Sequence, residues 1–307
     1  MARSRVRHWL GLALGVLVLG FVVYRIHAQR QSLDFSMAQV RWSALAISML
    51  FYFAAQVVFA GSWHRLLSGR DGSGELVGDI ARWCVSIAGK YFPGKVWHGL
   101  ARVGLYHGAD RSRAVAPAFI RETCLSLSAA MTVVAMHGFL EGSGPGRLEL
   151  GFAMGAVSLL LLSLPGIARI ALGWLECWRP LGLAVPDGSL SELALVWLMQ
   201  VFGYILFGLG LLALAKGLGI ERAGMAWPMI AALSFAGLAG IAAFFVPAGI
   251  GVREAALAWF LSPIIGPAPA ALLAVASRLW ISVGEAALVA GGLLALRYRN
   301  GRMATGT

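Results

Sequence analysis

Several charged residues lie inside or beside long apolar segments of the chain. A charge at the centre of a bilayer costs about 2.5 to 3.5 kcal/mol on insertion scales, so a retained one usually faces a polar cavity or a partner. Guanidinium groups can give a lipid phosphate two parallel hydrogen bonds, and carboxylates can hold them in place or accept a proton. The alternative is an internal ion pair that locks helix packing. The residues are Arg102, Arg121, Arg253 and Arg278 with Glu122, Glu254 and Glu285.

The spacing of these charges decides which of them can share a surface. Arg278 and Glu285 are seven residues apart, so they lie on one face of a helix. Arg121 and Glu122 are adjacent and diverge by about 100°. The first pair is therefore predicted to share a groove.

Two apolar stretches, residues 76–107 and 224–262, are interrupted by proline and glycine. Proline removes a backbone donor and glycine permits a sharp reversal, so both helices are predicted to break there. The helix after each break would expose unpaired N–H groups that can bind an anion; the alternative is that the glycines only permit a turn. The residues predicted to line this site are Pro93, Gly94, Pro247, Gly249 and Gly251, and Lys90 and Lys95 flank the first break as further substrate-binding candidates.

The composition excludes a water-soluble fold. Hydrophobic residues make up 59% of the 307 and charged residues only 13%, against about 25% in soluble proteins. The net charge of +11 comes from scattered Lys and Arg, which favours contact with anionic lipid headgroups over nucleic acid. The three cysteines and six histidines show no ligand spacing, so no metal site and no cofactor is predicted.

Hydropathy predicts one membrane domain, residues 1–307, that is all α-helical and polytopic. The first span follows a basic N-terminus and is interpreted as a retained signal anchor rather than a cleaved signal peptide. A short basic tail, residues 297–307, follows the last span. The six predicted full spans are residues 9–26, 42–61, 113–137, 148–166, 190–215 and 270–296.

The two interrupted stretches are similar to each other, with a period of about 155 residues and an arginine following each proline 28 or 31 residues later. We interpret both as re-entrant broken helices, which makes residues 42–137 and 190–296 an inverted repeat of the kind that builds transporter substrate sites. Most of the 25 Lys and Arg then lie on the cytoplasmic side, with both termini. If both stretches crossed fully, the middle loops would change sides, which fits the positive-inside rule less well.

Three motifs resemble the flippase-like transmembrane domain of the lysylphosphatidylglycerol synthase family. The resemblance implies a lipid-translocating domain without the synthase domain, as in stand-alone members of that family. One departure is Trp97-His98, where many relatives have Gly-Glu. The motifs are Lys90-Tyr91-Phe92-Pro93-Gly94-Lys95-Val96-Trp97 with Arg102, then Arg121-Glu122, then Val246-Pro247-Ala248-Gly249-Ile250-Gly251-Val252-Arg253-Glu254.

The expected function is a lipid flippase or scramblase of the inner membrane, moving an anionic phospholipid or a polyprenyl-phosphate-linked headgroup. Glu122, Glu254 and Glu285 are candidate proton or counter-ion carriers. The alternative is a non-transporting, lipid-binding partner of a membrane glycosyltransferase or lipid-modifying enzyme. The chain contains no P-loop, G-x-S-x-G or H-E-x-x-H pattern, so an enzyme is not expected.

Overall fold

The computed structural model describes residues 40–68, 75–92, 96–106, 109–140, 147–164, 166–167, 189–243 and 246–304. These ranges are helical and contain no strand. Four of their helices are long and apolar enough to cross a membrane. The fold is therefore that of a helical membrane protein.

The first half of the described chain runs from a long helix through a broken segment to a second long helix. Helix α1 spans Trp42–Ser68 and α2 spans Leu76–Ser86. A 3₁₀ turn over Ile87–Tyr91 continues α2 and ends at Phe92, whose backbone is extended. Three further helices follow the break. They are α3 over Val96–Gly104, α4 over Ala109–Leu140 and α5 over Arg147–Leu162.

The second half repeats this order of elements. Helix α6 spans Leu190–Gly217 and α7 spans Ala226–Ala242. A 3₁₀ turn over Pro247–Gly249 separates α7 from α8, which spans Val252–Ile265. Helix α9, over Pro267–Ala304, closes the described chain.

Local sequence signals explain where α6 begins. Ser189 accepts a hydrogen bond from the backbone N–H of Glu192, and the Glu192 carboxylate accepts one from the N–H of Ser189 at 2.9 Å. This reciprocal capping satisfies two amide groups that would otherwise be left at the helix start. The apolar run that follows then supplies the length of a full crossing.

Some of the packing contacts of the two halves correspond. Helices α1 and α6 pack against each other at the centre. Helix α9 packs against α2, and the equivalent helix α4 packs against α7. The two 3₁₀ turns also contact each other. Exchanging the halves therefore maps these helix contacts onto one another.

Small residues let the central helices approach closely. At Gly208 on α6, a β-carbon would collide with the backbone of Ile230 on α7. At Gly284 on α9, it would collide with the ring of Tyr52 on α1. Close backbone approach between helices is how membrane helices gain packing energy, since lipid tails already solvate their apolar side chains.

The predicted spans agree with the structure in part. Residues 42–61, 113–137, 190–215 and 270–296 fall within α1, α4, α6 and α9, the four helices long enough to cross. Residues 148–166 overlap α5, which has 16 residues and is about 24 Å long, shorter than a typical hydrocarbon core. A full crossing there stays a prediction, and the signal anchor at residues 9–26 lies outside the described residues.

Candidate functional site

The first broken segment is tied to the last helix by an ion pair. The Lys90 ammonium, on the turn after α2, donates to Oε1 of Glu285 on α9. The hydroxyl of Tyr91 donates to Oε2 of the same carboxylate at 2.5 Å. The Glu285 side chain is 7% exposed and that of Lys90 is 32% exposed. The buried carboxylate of Glu285 therefore binds both Lys90 and Tyr91, the two residues at the end of the turn before the break.

The second broken segment is held to α9 by a separate carboxylate. Ala248 and Gly249 have φ angles of 51° and 66°, and Gly251, which precedes α8, has 84°. These left-handed conformations reverse the chain. The backbone N–H of Gly251 donates to Oε2 of Glu254 at 2.5 Å, and Oε1 of Glu254 lies 3.6 Å from Nε of Arg278. The positive N-terminal end of α8 thus already binds the carboxylate of Glu254.

Arg278 connects the two broken segments. Its Nη1 lies 3.4 Å from the carbonyl oxygen of Ala248, a long hydrogen bond to the second break. Its guanidinium carbon lies 5.9 Å from the ring centroid of Tyr91, at the first break. Because Tyr91 also bonds to Glu285, both Arg278 and Glu285 contact Tyr91. The sequence predicted that these two α9 residues share a groove, and the structure places both against the breaks.

Arg102 lies in a buried aromatic cage. It is 1% exposed and pairs with Glu122 of α4. Its Nε donates to the Ser86 hydroxyl at 3.1 Å, and its Nη2 lies 3.2 Å from Nε2 of His98. The rings that surround its guanidinium carbon, with centroid distances of 4.4, 5.1 and 5.7 Å, are those of Trp63, Phe119 and Trp83. These contacts fit a structural ion pair, and contact with a substrate stays a prediction.

Arg253 differs from the other basic residues of this region. Its Nε is buried and has no hydrogen-bond acceptor. Among the described residues, none of the carboxylates lies within ion-pair distance of it, whereas Lys90, Arg102 and Arg278 each have one. Lys90, Arg102 and Arg278 thus each have a carboxylate partner within the described part of the chain, and Arg253 does not.

A small cavity lies between α7, α8 and α9. Its volume is about 10 Å³, which holds about one water-sized ligand. The polar residues of its lining are Arg253, Glu254, Ser277 and Arg278, and the rest of the wall is apolar. The cavity therefore carries one more positive than negative charge.

The remaining predicted residues are placed as follows. Arg121 is 5% exposed on α4, next to Glu122. Pro93, Gly94 and Lys95 lie outside the described residues, so their predicted roles stay predictions. Among the described residues, no cluster of His, Cys, Asp or Glu could hold a metal ion.

Sequence reasoning missed several partners of the charged residues. Tyr91 bonds to Glu285, and Ser86 accepts from Arg102. Neither contact was predicted, although Tyr91 belongs to the first of the three motifs. A second buried cluster joins α1 to α2, where Asp79 is fully buried and its Oδ2 lies 2.9 Å from Nδ1 of His64. An aspartate inside an apolar stretch was the available signal for this cluster.

Comparison with models of known protein families and with curated proteins gives no match. The resemblance to the flippase-like domain therefore rests on the three motifs.

Proposed function

We propose that this chain is a lipid flippase or scramblase of the inner membrane, similar to the flippase-like domain of the lysylphosphatidylglycerol synthase family. The observation that carries the proposal is the meeting of the two broken segments. Their 3₁₀ turns touch, and charged groups from both converge on α9 through Glu285 and Arg278. Broken helices that meet around charged groups are how secondary transporters build substrate sites.

The two halves are proposed to form an inverted repeat. The support is the correspondence of elements, α1 to α4 with α6 to α9, and of the contacts between them. In this arrangement both termini are cytoplasmic and the broken segments enter from opposite faces. Residues 9–26 would then act as a signal anchor in addition to the repeat.

Partner exchange is the proposed mechanism. The headgroup phosphate of an anionic phospholipid or of a polyprenyl-phosphate-linked lipid would compete with Glu254 for Arg278, and with Glu285 for Lys90. Arginine suits the task because its planar fork matches phosphate oxygens. The carboxylate that is released re-forms its pair after the headgroup has passed, so no covalent step is needed. The lipid tails stay in the bilayer throughout.

One observation favours a second candidate, a non-transporting subunit that holds a lipid for a glycosyltransferase or lipid-modifying enzyme. Each of Glu122, Glu254 and Glu285 is already paired, and the cavity holds only a water-sized ligand. A groove that never opens could bind a lipid at its rim without moving it.

Vesicle reconstitution tests the proposal. Purified protein is placed in liposomes that carry trace fluorescent lipids of several headgroup classes, and a membrane-impermeant quencher reports outer-leaflet exposure. The flippase proposal expects faster headgroup crossing for phosphate-bearing lipids than in empty vesicles. Lipid that co-purifies without any acceleration, for every headgroup class, would favour the partner-subunit alternative.

A further inference from the structure

We infer that the cavity between α7, α8 and α9 binds a small monovalent anion of halide size. The first observation is the charge of its lining. Arg253 and Arg278 contribute two guanidinium groups, which keep their charge in proteins, against the single carboxylate of Glu254. An anion is therefore favoured over a cation, and one negative charge balances the site.

The second observation is an unused donor. The Nε of Arg253 is buried and has no acceptor, although a buried polar group normally has a hydrogen-bond partner. The aliphatic part of Arg253 lies beside Gly240, where an added β-carbon would be 3.5 Å from Cβ of Arg253. A bound anion would accept the hydrogen bond that the fold leaves unmade.

Glu254 does not compete for the same donor. One of its oxygens accepts from the N–H of Gly251, and the other faces Arg278. Its charge is therefore directed at the helix start and at the neighbouring guanidinium. The Nε donor of Arg253 is therefore left for a bound ligand.

The third observation is size. A volume of about 10 Å³ is about that needed for one water molecule, so an anion bound here can be no larger than a single atom that takes the place of a water. The inference thus goes beyond the proposed lipid transport, since it concerns a small ligand in this cavity and not a lipid headgroup. A headgroup phosphate that reached Arg278 would have to displace the small anion.

Halide binding can be measured on the full chain in detergent without any lipid assay. The ³⁵Cl NMR line width is recorded during protein titration, and thermal unfolding is followed as gluconate is replaced by chloride or bromide at constant ionic strength. We expect line broadening and a rise in Tm of about 3 °C at ten times the dissociation constant. Inorganic phosphate at the same ionic strength should give no such rise.

Arg253→Gln should abolish the halide effect, while Arg41→Gln, at a surface side chain that is 59% exposed, should leave it unchanged. If Arg253→Gln does not fold, Arg253→Lys serves, and it should weaken the effect because lysine lacks the Nε donor. Equal Tm in chloride and gluconate, equal stabilisation by phosphate, or a full halide effect in the Arg253 variants would overturn the inference. Lipid crossing is measured separately in vesicles, so a failure of halide binding and a failure of transport are distinguishable.

Discussion

The ammonium of Lys90 is paired with the carboxylate of Glu285 across 195 residues of sequence. Lys90 stands just before the first helix break, and Glu285 lies in the middle of α9. Tyr91 bonds to the other oxygen of the same carboxylate. The 3₁₀ turn after α2 and the centre of α9 are therefore joined by two polar contacts to one carboxylate.

Removing the ammonium from this pair should destabilise the fold. Lys90→Met leaves the Glu285 carboxylate buried with only Tyr91, and the cost should be about 2 kcal/mol, below the full penalty of a broken buried pair because Lys90 is partly exposed. The double variant Lys90→Met with Glu285→Met should lose less than the single variants predict, with a coupling of at least about 1 kcal/mol. Denaturant titration in mixed micelles measures all four free energies of unfolding.

The control cycle uses Arg41 and Glu221, an exposed pair whose side chains are 59% and 46% accessible. An exposed pair typically contributes about 0.2 to 1 kcal/mol, so the coupling there should be smaller. Equal couplings in the two cycles would contradict the role given to Lys90 and Glu285.

Arg278→Gln should slow the crossing of phosphate-bearing lipids by about tenfold or more. The reason is the loss of a charge-assisted hydrogen bond, worth about 1.5 to 3 kcal/mol, when each 1.4 kcal/mol is a factor of ten. Arg278→Lys should recover part of the rate because it keeps the charge. The measurement is the vesicle assay with a phosphate-bearing lipid and with a labelled lipid that lacks phosphate.

A general loss of structure would slow both lipids alike, whereas loss of phosphate recognition slows only the first. Arg41→Gln serves as the matched surface control. An unchanged rate in Arg278→Gln, or equal slowing of both lipids, would argue against phosphate contact at this residue.

The long helices could be predicted from sequence because the signal for each is local. Residues 42–61 and 190–215 are long, predominantly apolar segments, and each forms a helix long enough to cross. The reversal around Pro247 was also predictable, since proline and glycine restrict or free the backbone wherever they stand. The shorter helix α5 ends at Leu162, ahead of Leu164-Pro165, where the proline disfavours helix for the residue before it.

Partners of the charged residues could not be predicted in the same way. Helical periodicity placed Arg278 and Glu285 on one face of α9, but it carries no information about what packs against that face. The partners Glu254 and Lys90 come from other elements and meet them only in the folded chain. The burial of Asp79 against His64 was missed for the same reason.

Arg102→Lys should destabilise the protein although it keeps the charge. Lysine cannot reproduce the planar stacking between Trp63 and Phe119 or donate to Ser86 and Glu122 together. The expected loss is about 2 kcal/mol, from a buried charge with fewer partners. Thermal unfolding in detergent measures it.

Arg41→Lys is the control, since it makes the same chemical change at an exposed pair, and its effect should be within about 0.5 kcal/mol. If Arg102→Lys matched that small effect, the cage would not depend on the guanidinium shape.

Gly249→Ala should destabilise the second break. Gly249 has a φ of 66°, and an added β-carbon would lie 2.9 Å from the backbone Cα of Gly240 on α7. An L side chain in the left-handed region costs of order 1 to 3 kcal/mol. The backbone contact adds to this cost because it cannot be relieved without shifting α7.

The matched control is Gly237→Ala, within α7, where an added β-carbon meets nothing within 4 Å and alanine favours helix by about 1 kcal/mol. Unfolding in mixed micelles should therefore show opposite signs for two identical chemical changes twelve residues apart, and a neutral Gly249→Ala would mean that the break does not require this backbone conformation.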